Sequence, residues 1–240
     1  MNDTGSIDTF NSLLLKDFSS ELEIIAESNL LDNIDWDTLL NEVEGLKALW
    51  KFGKGIEQRI YIRNLAILLT KQKGINDKQK KIWQKRLESD KKCKRLVENL
   101  LILMYRLHDP YKTKIISNLF RAFLKEDLEL SNLLRLMSVV ENCYHDDLVY
   151  FEVIHVNFDN NKYSNDEILK LRLEEDFHIQ NLFVHGIFEE NKFFSNQSYV
   201  GDTGGNATKL DVANMLDRAN RQRRKDISVL GRLLMEHGFD

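Results

Sequence analysis

Residues 96–151 read LVENLLILMYRLHDPYKTKIISNLFRAFLKEDLELSNLLRLMSVVENCYHDDLVYF, and this stretch decides the fold. Leu96, Leu100, Leu103, Met104 and Leu107 recur at helical spacing, with Val97 and Leu101 widening the stripe. Pro110, the chain's single proline, must end that helix, because its ring clashes with the preceding turn; it suits the first turn of the next helix. Asp109 just before it has a carboxylate placed to accept a free backbone N–H, the role of an N-cap. Ile115, Ile116, Leu119, Phe120 and Phe123 give the second helix an apolar face. Lys112, Lys114, Asn118, Arg121 and Lys125 take most of its other side. A third helix is expected from near Ser131 through Leu133, Leu134, Leu136, Met137, Val140, Tyr144, Leu148 and Phe151. Short links between three such helices predict antiparallel neighbours packed face to face.

Lys112–Phe151, about a sixth of the chain, also resembles a module of uncharacterised bacterial proteins often encoded near mobile elements. The residues that carry the likeness are Ile116, Asn118, Leu119, Phe120, Ala122, Phe123, Leu134, Arg135, Leu136, Asp147 and Leu148. A small residue expected near Lys125–Glu126 is missing here. The group has no assigned activity, so the resemblance implies a helical architecture and a bacterial source. By analogy it suggests a setting in mobile-element biology such as phage defence.

Outward from this centre, the pattern stays helical toward the N-terminus. Ile7–Leu31 carries Phe10, Leu13, Leu14, Leu22 and Ile25, with a break near Ser19–Ser20. Asp35 suits the cap of a helix through Trp50, and the glycines of Gly53-Lys-Gly55 predict a kink. Ile56–Leu69 is apolar enough to be nearly buried and should stop at Gly74. Lys78–Leu87 sets Ile82, Trp83 and Leu87 among lysines and glutamines, and Asp90 suits the next cap. After Phe151 the pattern changes. Val153–Phe158 reads as a strand or a frayed helix end, Asp166–Phe188 as two short helices, and Gly201–Thr208 as a glycine-rich turn. A helix starting at Leu210 and a last apolar turn, Ile227–Met235, complete the chain. The fold class expected is mostly α. A helical bundle over residues 1–159 should precede a smaller α or α+β part over residues 160–240. In a winged-helix-like version of that part, Gly201–Asn206 would form the wing tip.

The chain has 240 residues, 42% of them hydrophobic and 30% charged, enough for a sizeable core under a well-solvated surface. No apolar run approaches the roughly 20 residues that cross a bilayer. The opening MNDTGSIDTF lacks the features of a secretory leader. Cys93 and Cys143 stand far apart and in no ligand spacing, consistent with reduced thiols. A cytoplasmic location follows as an expectation.

Motifs for chemistry are scarce. His145-Asp146-Asp147 with His155 lacks the converging partners of a metal or acid–base site; the expectation is that Asp146 and Asp147 are solvated and His145 meets a local carboxylate. His178 and His185 lie two helical turns apart, too far to share one ion, and read as packing or surface residues. The run Gly201–Lys209 departs from a P-loop because Leu210 follows the lysine. Neither a nucleophile elbow nor a zinc-protease, paired-cysteine or dinucleotide motif occurs. Catalytic, metal and cofactor-binding residues are therefore not proposed from the sequence, and the chain reads as non-catalytic.

Charge is the clearest functional pointer. Met1–Trp50 holds 11 acidic and 2 basic residues, whereas Lys51–Arg95 holds 15 basic and 4 acidic, in a chain of net charge -4. Lys78, Lys80, Lys81, Lys85, Arg86, Lys91 and Lys92 lie in this band, with Lys71, Lys73, Lys94, Arg95 and Trp83 nearby. Arg218, Arg221, Arg223 and Arg224 form a second cluster after the expected wing. Segregation of this kind leads to a protein-interaction or self-assembling adaptor, its acidic and basic segments making the contacts. The alternative is a DNA-binding accessory or transcriptional regulator in which both clusters neutralise backbone phosphates. A solvated helix face, or docking of the band on the acidic segment of the same chain, is the plainer explanation. A peripheral membrane role through the band and Trp83 comes third.

Overall fold

The computed structural model describes residues 4–15, 20–27, 56–156, 174–189 and 226–239. Within them the chain is mostly α-helical. The expected helix through Trp50, the glycines at 53 and 55, the turn at 201–208 and the helix from Leu210 lie outside the described residues. Two compact units divide the chain: Met1–Glu141 together with His237–Asp240, and Asn142–Glu236.

In the first unit, helices α1 (Thr4–Leu15) and α2 (Ser20–Glu27) precede α3 (Ile56–Thr70). Next come α4 (Asp77–Ser89), α5 (Lys91–Arg106), α6 (Pro110–Leu124) and α7 (Leu130–Asn142), whose last residue belongs to the second unit. Capping follows the sequence. Asp109 accepts a hydrogen bond from the Tyr111 N–H at 2.9 Å with Pro110 in the first turn of α6. Asp90 accepts from the Lys92 N–H at 2.8 Å to start α5. Asn76 and Gln79 exchange side-chain-to-backbone bonds as a capping box on α4.

The unit is built around α3. From Ile62 to Leu69 every residue is buried, Arg63 and Asn64 included. Each fully buried Leu or Ile there contributes about 1.5–3 kcal/mol. The α5, α6 and α7 helices expected to pack face to face do meet: Lys112 of α6 donates to the Glu141 carbonyl of α7 at 3.0 Å, and Arg106 of α5 pairs with Glu141 at 2.8 Å. Both α5 and α6 make their closest approaches to α3, as does α2. The physical reason is the larger apolar circumference of α3, which buries more surface against several helices than two one-sided stripes bury against each other. Polar side chains fix the arrangement. Asn64 donates to the Met104 and Leu107 carbonyls at 2.8 and 2.6 Å, and Arg63 donates to the His108 carbonyl at 3.3 Å. Gln72, just past α3, donates to the Leu68 and Ser117 carbonyls. Burial pushes the Arg63 guanidinium below its ordinary pKa, and nearby Asp109 opposes that shift. At the chain's end, Asn118 of α6 donates to the Gly238 carbonyl at 3.1 Å.

The C-terminus of α6 explains the missing small residue. The Glu126 N–H bonds to the Phe123 carbonyl and the Asp127 N–H to the Ala122 carbonyl, the pair of bonds that defines a Schellman stop. Glu126 sits at its left-handed position with φ 69°, where glycine is favoured. A left-handed L-residue costs about 1–2 kcal/mol, while the Arg86–Glu126 ion pair at 2.5 Å is half-exposed on both sides and is worth at most about 1 kcal/mol. Glu126→Gly is therefore expected to raise stability by about 0.5–1 kcal/mol, read as a higher urea midpoint at unchanged slope. A fall in the midpoint would mean that the ion pair outweighs the backbone strain.

The second unit opens with α8 (His145–Phe151), continued by a π-helical turn (Glu152–Val156). The single third helix expected through Phe151 is thus two. Asn142 ends α7, Tyr144 is extended at φ -70° and ψ 152°, and α8 restarts with Asp146 and Asp147 in its first turn. Carboxylates at a helix start are favoured by the unpaired N–H groups there, so the restart is locally stable although the apolar spacing runs on. Val153–Val156, expected as a strand or frayed end, is part of the π turn. Helix α9 (Glu175–Val184) ends in a second Schellman stop with Gly186 at φ 77°; the Gly186 N–H bonds to Phe183 and the Ile187 N–H to Leu182. Phe188, expected in a helix, instead starts strand β1 (Phe188–Glu189). β1 pairs antiparallel with β2 (Asp226–Ile227), Phe188 facing Ile227 and Glu189 facing Asp226. Helix α10 (Val229–His237) follows. Ser228 holds its entry, donating to the Gly186 carbonyl at 2.6 Å and accepting from the Gly231 N–H at 2.9 Å. A Cβ at Gly231 would meet the Ile187 carbonyl oxygen at 2.4 Å, so only glycine permits this approach.

Candidate functional site

The basic band of the sequence occupies α4, the Asp90 junction and the first turns of α5. On α4, Trp83 and Leu87 point into the core with Lys80 at their edge, and Lys78, Lys81 and Lys85 lie outward at intervals of three and four residues, hence on one side of the helix. Lys91, Lys92, Lys94 and Arg95 extend the exposed charge along α5, whose buried face is Cys93, Leu96, Val97 and Leu100. Among the described residues these seven side chains, from Lys78 to Arg95, make no ion pair or side-chain hydrogen bond. Arg86 differs in being paired to Glu126. Lys73 is paired at 2.5 Å with Glu23 of α2, which raises its pKa by hydrogen bonding and charge.

Trp83 does not join this surface. It is 3% exposed and meets Phe120 and Phe123 edge to face at centroid distances of 5.8 and 5.9 Å. A tryptophan among lysines at sequence level is here a core residue. The second cluster, Arg218, Arg221, Arg223 and Arg224, and the expected wing tip at 201–206 lie outside the described residues.

Between α4, α5 and the α6–α7 link an open cleft of about 310 Å³ has Cys93, Phe123, Leu128 and Leu130 below and Arg86, Asp90, Glu126 and Glu129 around it. The Cys93 thiol is 3.8 Å from the Asp90 carboxylate. Burial, and then the Asp90 charge, push its pKa up, with Arg86 opposing. A thiol held protonated is a weak nucleophile, so this cleft is poorly suited to cysteine chemistry.

Sequence reasoning missed a buried polar pair in the second unit. Asp147, expected to be solvated, is fully buried, while Asp146 is exposed. The nearest carboxylate oxygen is 2.8 Å from His178 Nδ1 on α9 and accepts from Asn181 at 3.3 Å. Tyr150 stacks on the imidazole at 5.0 Å with planes 15° apart. His178 Nε2 lies 3.6 Å from Glu174, beyond hydrogen-bond distance. An ionised Asp147 only accepts, which places the ring proton on Nδ1. The pair has the aspartate–imidazole geometry of acid–base sites, and both residues are closed to solvent.

Among the described residues no three metal-ligating side chains gather, and no helix is long and apolar enough to cross a membrane. No family model, curated protein or solved structure matches the chain. Fold and surface together define a chain that is mostly α-helical in its described residues, with an exposed basic face on consecutive helices.

Proposed function

We propose that this chain is a non-catalytic binding protein that docks a polyanionic partner on the exposed face of α4 and α5. One observation carries the reading: seven cations crowded between Lys78 and Arg95 make no ion pair among the described residues. Like charges held this close repel one another, and an external anion relieves that cost. Four of them lie at the N-terminal end of α5, where the helix dipole disfavours positive charge by about 0.3–1 kcal/mol apiece. The sequence thus places lysines where folding gains nothing from them.

A second reading, self-assembly or autologous docking through the acidic N-terminal segment, is favoured by the Lys73–Glu23 pair. That contact engages one lysine at the edge of the band and leaves the seven untouched. Resemblance of Lys112–Phe151 to modules encoded near mobile elements supports a setting such as phage defence. A winged-helix-like tail with Arg218, Arg221, Arg223 and Arg224 as further contacts belongs to the DNA-regulator form of the proposal.

Retention on an immobilised sulfated polysaccharide tests the reading. The chain should bind at low salt despite its net charge of -4. Lys78→Glu/Lys81→Glu/Lys85→Glu should pass through unretained with unchanged helical circular dichroism. A variant reversed at exposed Lys114 and Arg135 should elute close to the parent. Equal loss in both variants would show that net charge, not this face, governs retention.

A further inference from the structure

We infer that the polyanion this face fits is the sugar–phosphate backbone of a nucleic-acid duplex, bound without reading its sequence. The inference rests on the polyanion reading above and narrows it by asking what the face offers besides charge.

An acidic protein is the first competitor. Protein interfaces are depleted in lysine and depend on a few buried aromatic or arginine anchors. From Lys71 to Arg95 no large apolar side chain is exposed; Trp83 and Leu87 are buried and Ile82 is half-covered. A protein partner would find charge here and nothing to anchor on. An anionic membrane surface is the second competitor. Stable attachment there adds an apolar wedge to the charge, and this face has none.

Single-stranded nucleic acid is the third. Its binding sites combine a positive groove with aromatic platforms on which bases stack, each worth about 1–3 kcal/mol. In the described residues the exposed aromatics are Tyr105, Tyr144, Phe177 and Phe183, none of them in the band. What remains is a ligand recognised by phosphate alone. Duplex DNA presents one charge per about 1.7 Å of its axis. Lys78, Lys81 and Lys85 span about 10 Å along α4, so several phosphates fall within reach of flexible lysine stems. Six of the seven cations are lysines, which act as point charges and lack the guanidinium fork that reads guanine edges. Asp77 and Glu88 also stand exposed on α4 and limit how many phosphates the face takes.

Fluorescence anisotropy of the full chain decides the matter, with four labelled or competing probes. These are a random-sequence duplex of about 20 base pairs, a single strand of the same length, polyglutamate, and vesicles containing phosphatidylserine. The duplex should bind several-fold more tightly than the single strand, and unrelated duplex sequences should agree within about twofold. Log affinity should fall with log salt at a slope of about -3 to -6, as for four to six phosphates at about 0.9 each. Lys78→Glu/Lys81→Glu/Lys85→Glu should remove at least half of that slope. Tighter binding to single strand, to polyglutamate or to vesicles than to duplex would overturn the inference and leave the polyanion reading standing. A tenfold preference among duplex sequences would overturn the claim that sequence is not read. Failure to bind any of the four would overturn both.

Discussion

His178→Ala is expected to destabilise the Asn142–Glu236 unit by about 3–5 kcal/mol. Asp147 has no solvent to fall back on, being fully buried. Its partners are the imidazole at 2.8 Å and the Asn181 amide at 3.3 Å, and its second oxygen has no protein partner. Removing the ring leaves a carboxylate in the core with one long hydrogen bond, and also takes away the plate on which Tyr150 stacks. The cost lies in the orphaned charge rather than in the lost contact. Asp147→Leu/His178→Leu should therefore recover most of the stability, because apolar residues of similar shape remove the polar groups together. Urea unfolding followed at the helical signal, with hydrogen exchange of α8 and α9 amides to locate the loss, measures both variants. A cost below about 1 kcal/mol for His178→Ala would show that Asp147 finds other partners, and the double variant would then be the less stable of the two.

That pair also marks where sequence reading fails. Asp147 and His178 lie 31 residues apart with no spacing rule between them. Each alone reads blandly, an acid beside another acid and a histidine among apolar residues. Features decided within a turn or two were legible. Asp109 with Pro110 and Asp90 both follow from backbone groups that must be satisfied locally, whereas α3 ends at Thr70, short of the Gly74 expected to stop it. The break between Asn142 and His145 was not legible, because Val140, Tyr144, Leu148 and Phe151 keep helical spacing across it. The nearly buried state of Ile56–Leu69 could be read from its all-round apolarity. Its place as the hub could not, since packing partners depend on surfaces distant in the chain. The basic band was visible as composition, but only the fold separates Arg86 and Lys73, which are paired, from the seven cations that make no ion pair among the described residues. Only the fold removes Trp83 from the surface. Glu126 is the intermediate case: a small residue was expected near it, and the positive φ supplies the reason.

Asn64→Leu is expected to cost the first unit about 2–5 kcal/mol even though leucine keeps the branched shape of asparagine and Asn64 is flanked by apolar residues from Leu65 to Leu69. The last carbonyls of a helix have no partner within it, and those of α5 end inside the core rather than in water. Asn64, fully buried, places its amide nitrogen 2.8 Å from the Met104 carbonyl and 2.6 Å from that of Leu107. The neighbouring Arg63 guanidinium reaches the His108 carbonyl. One turn of α3 therefore closes the end of α5, and the amide orientation is fixed, since the reverse would set oxygen against two oxygens. Leucine fills the space but leaves two buried acceptors unsatisfied, each worth about 1–3 kcal/mol. Asn64→Asp tests the same point from the other side, because a carboxylate only accepts and would repel both carbonyls; it should be at least as damaging as leucine. Urea midpoints at constant slope give the ranking parent, then leucine, then aspartate. A leucine variant as stable as the parent would mean that the end of α5 can reach water, and that apolar packing alone holds α5 on α3.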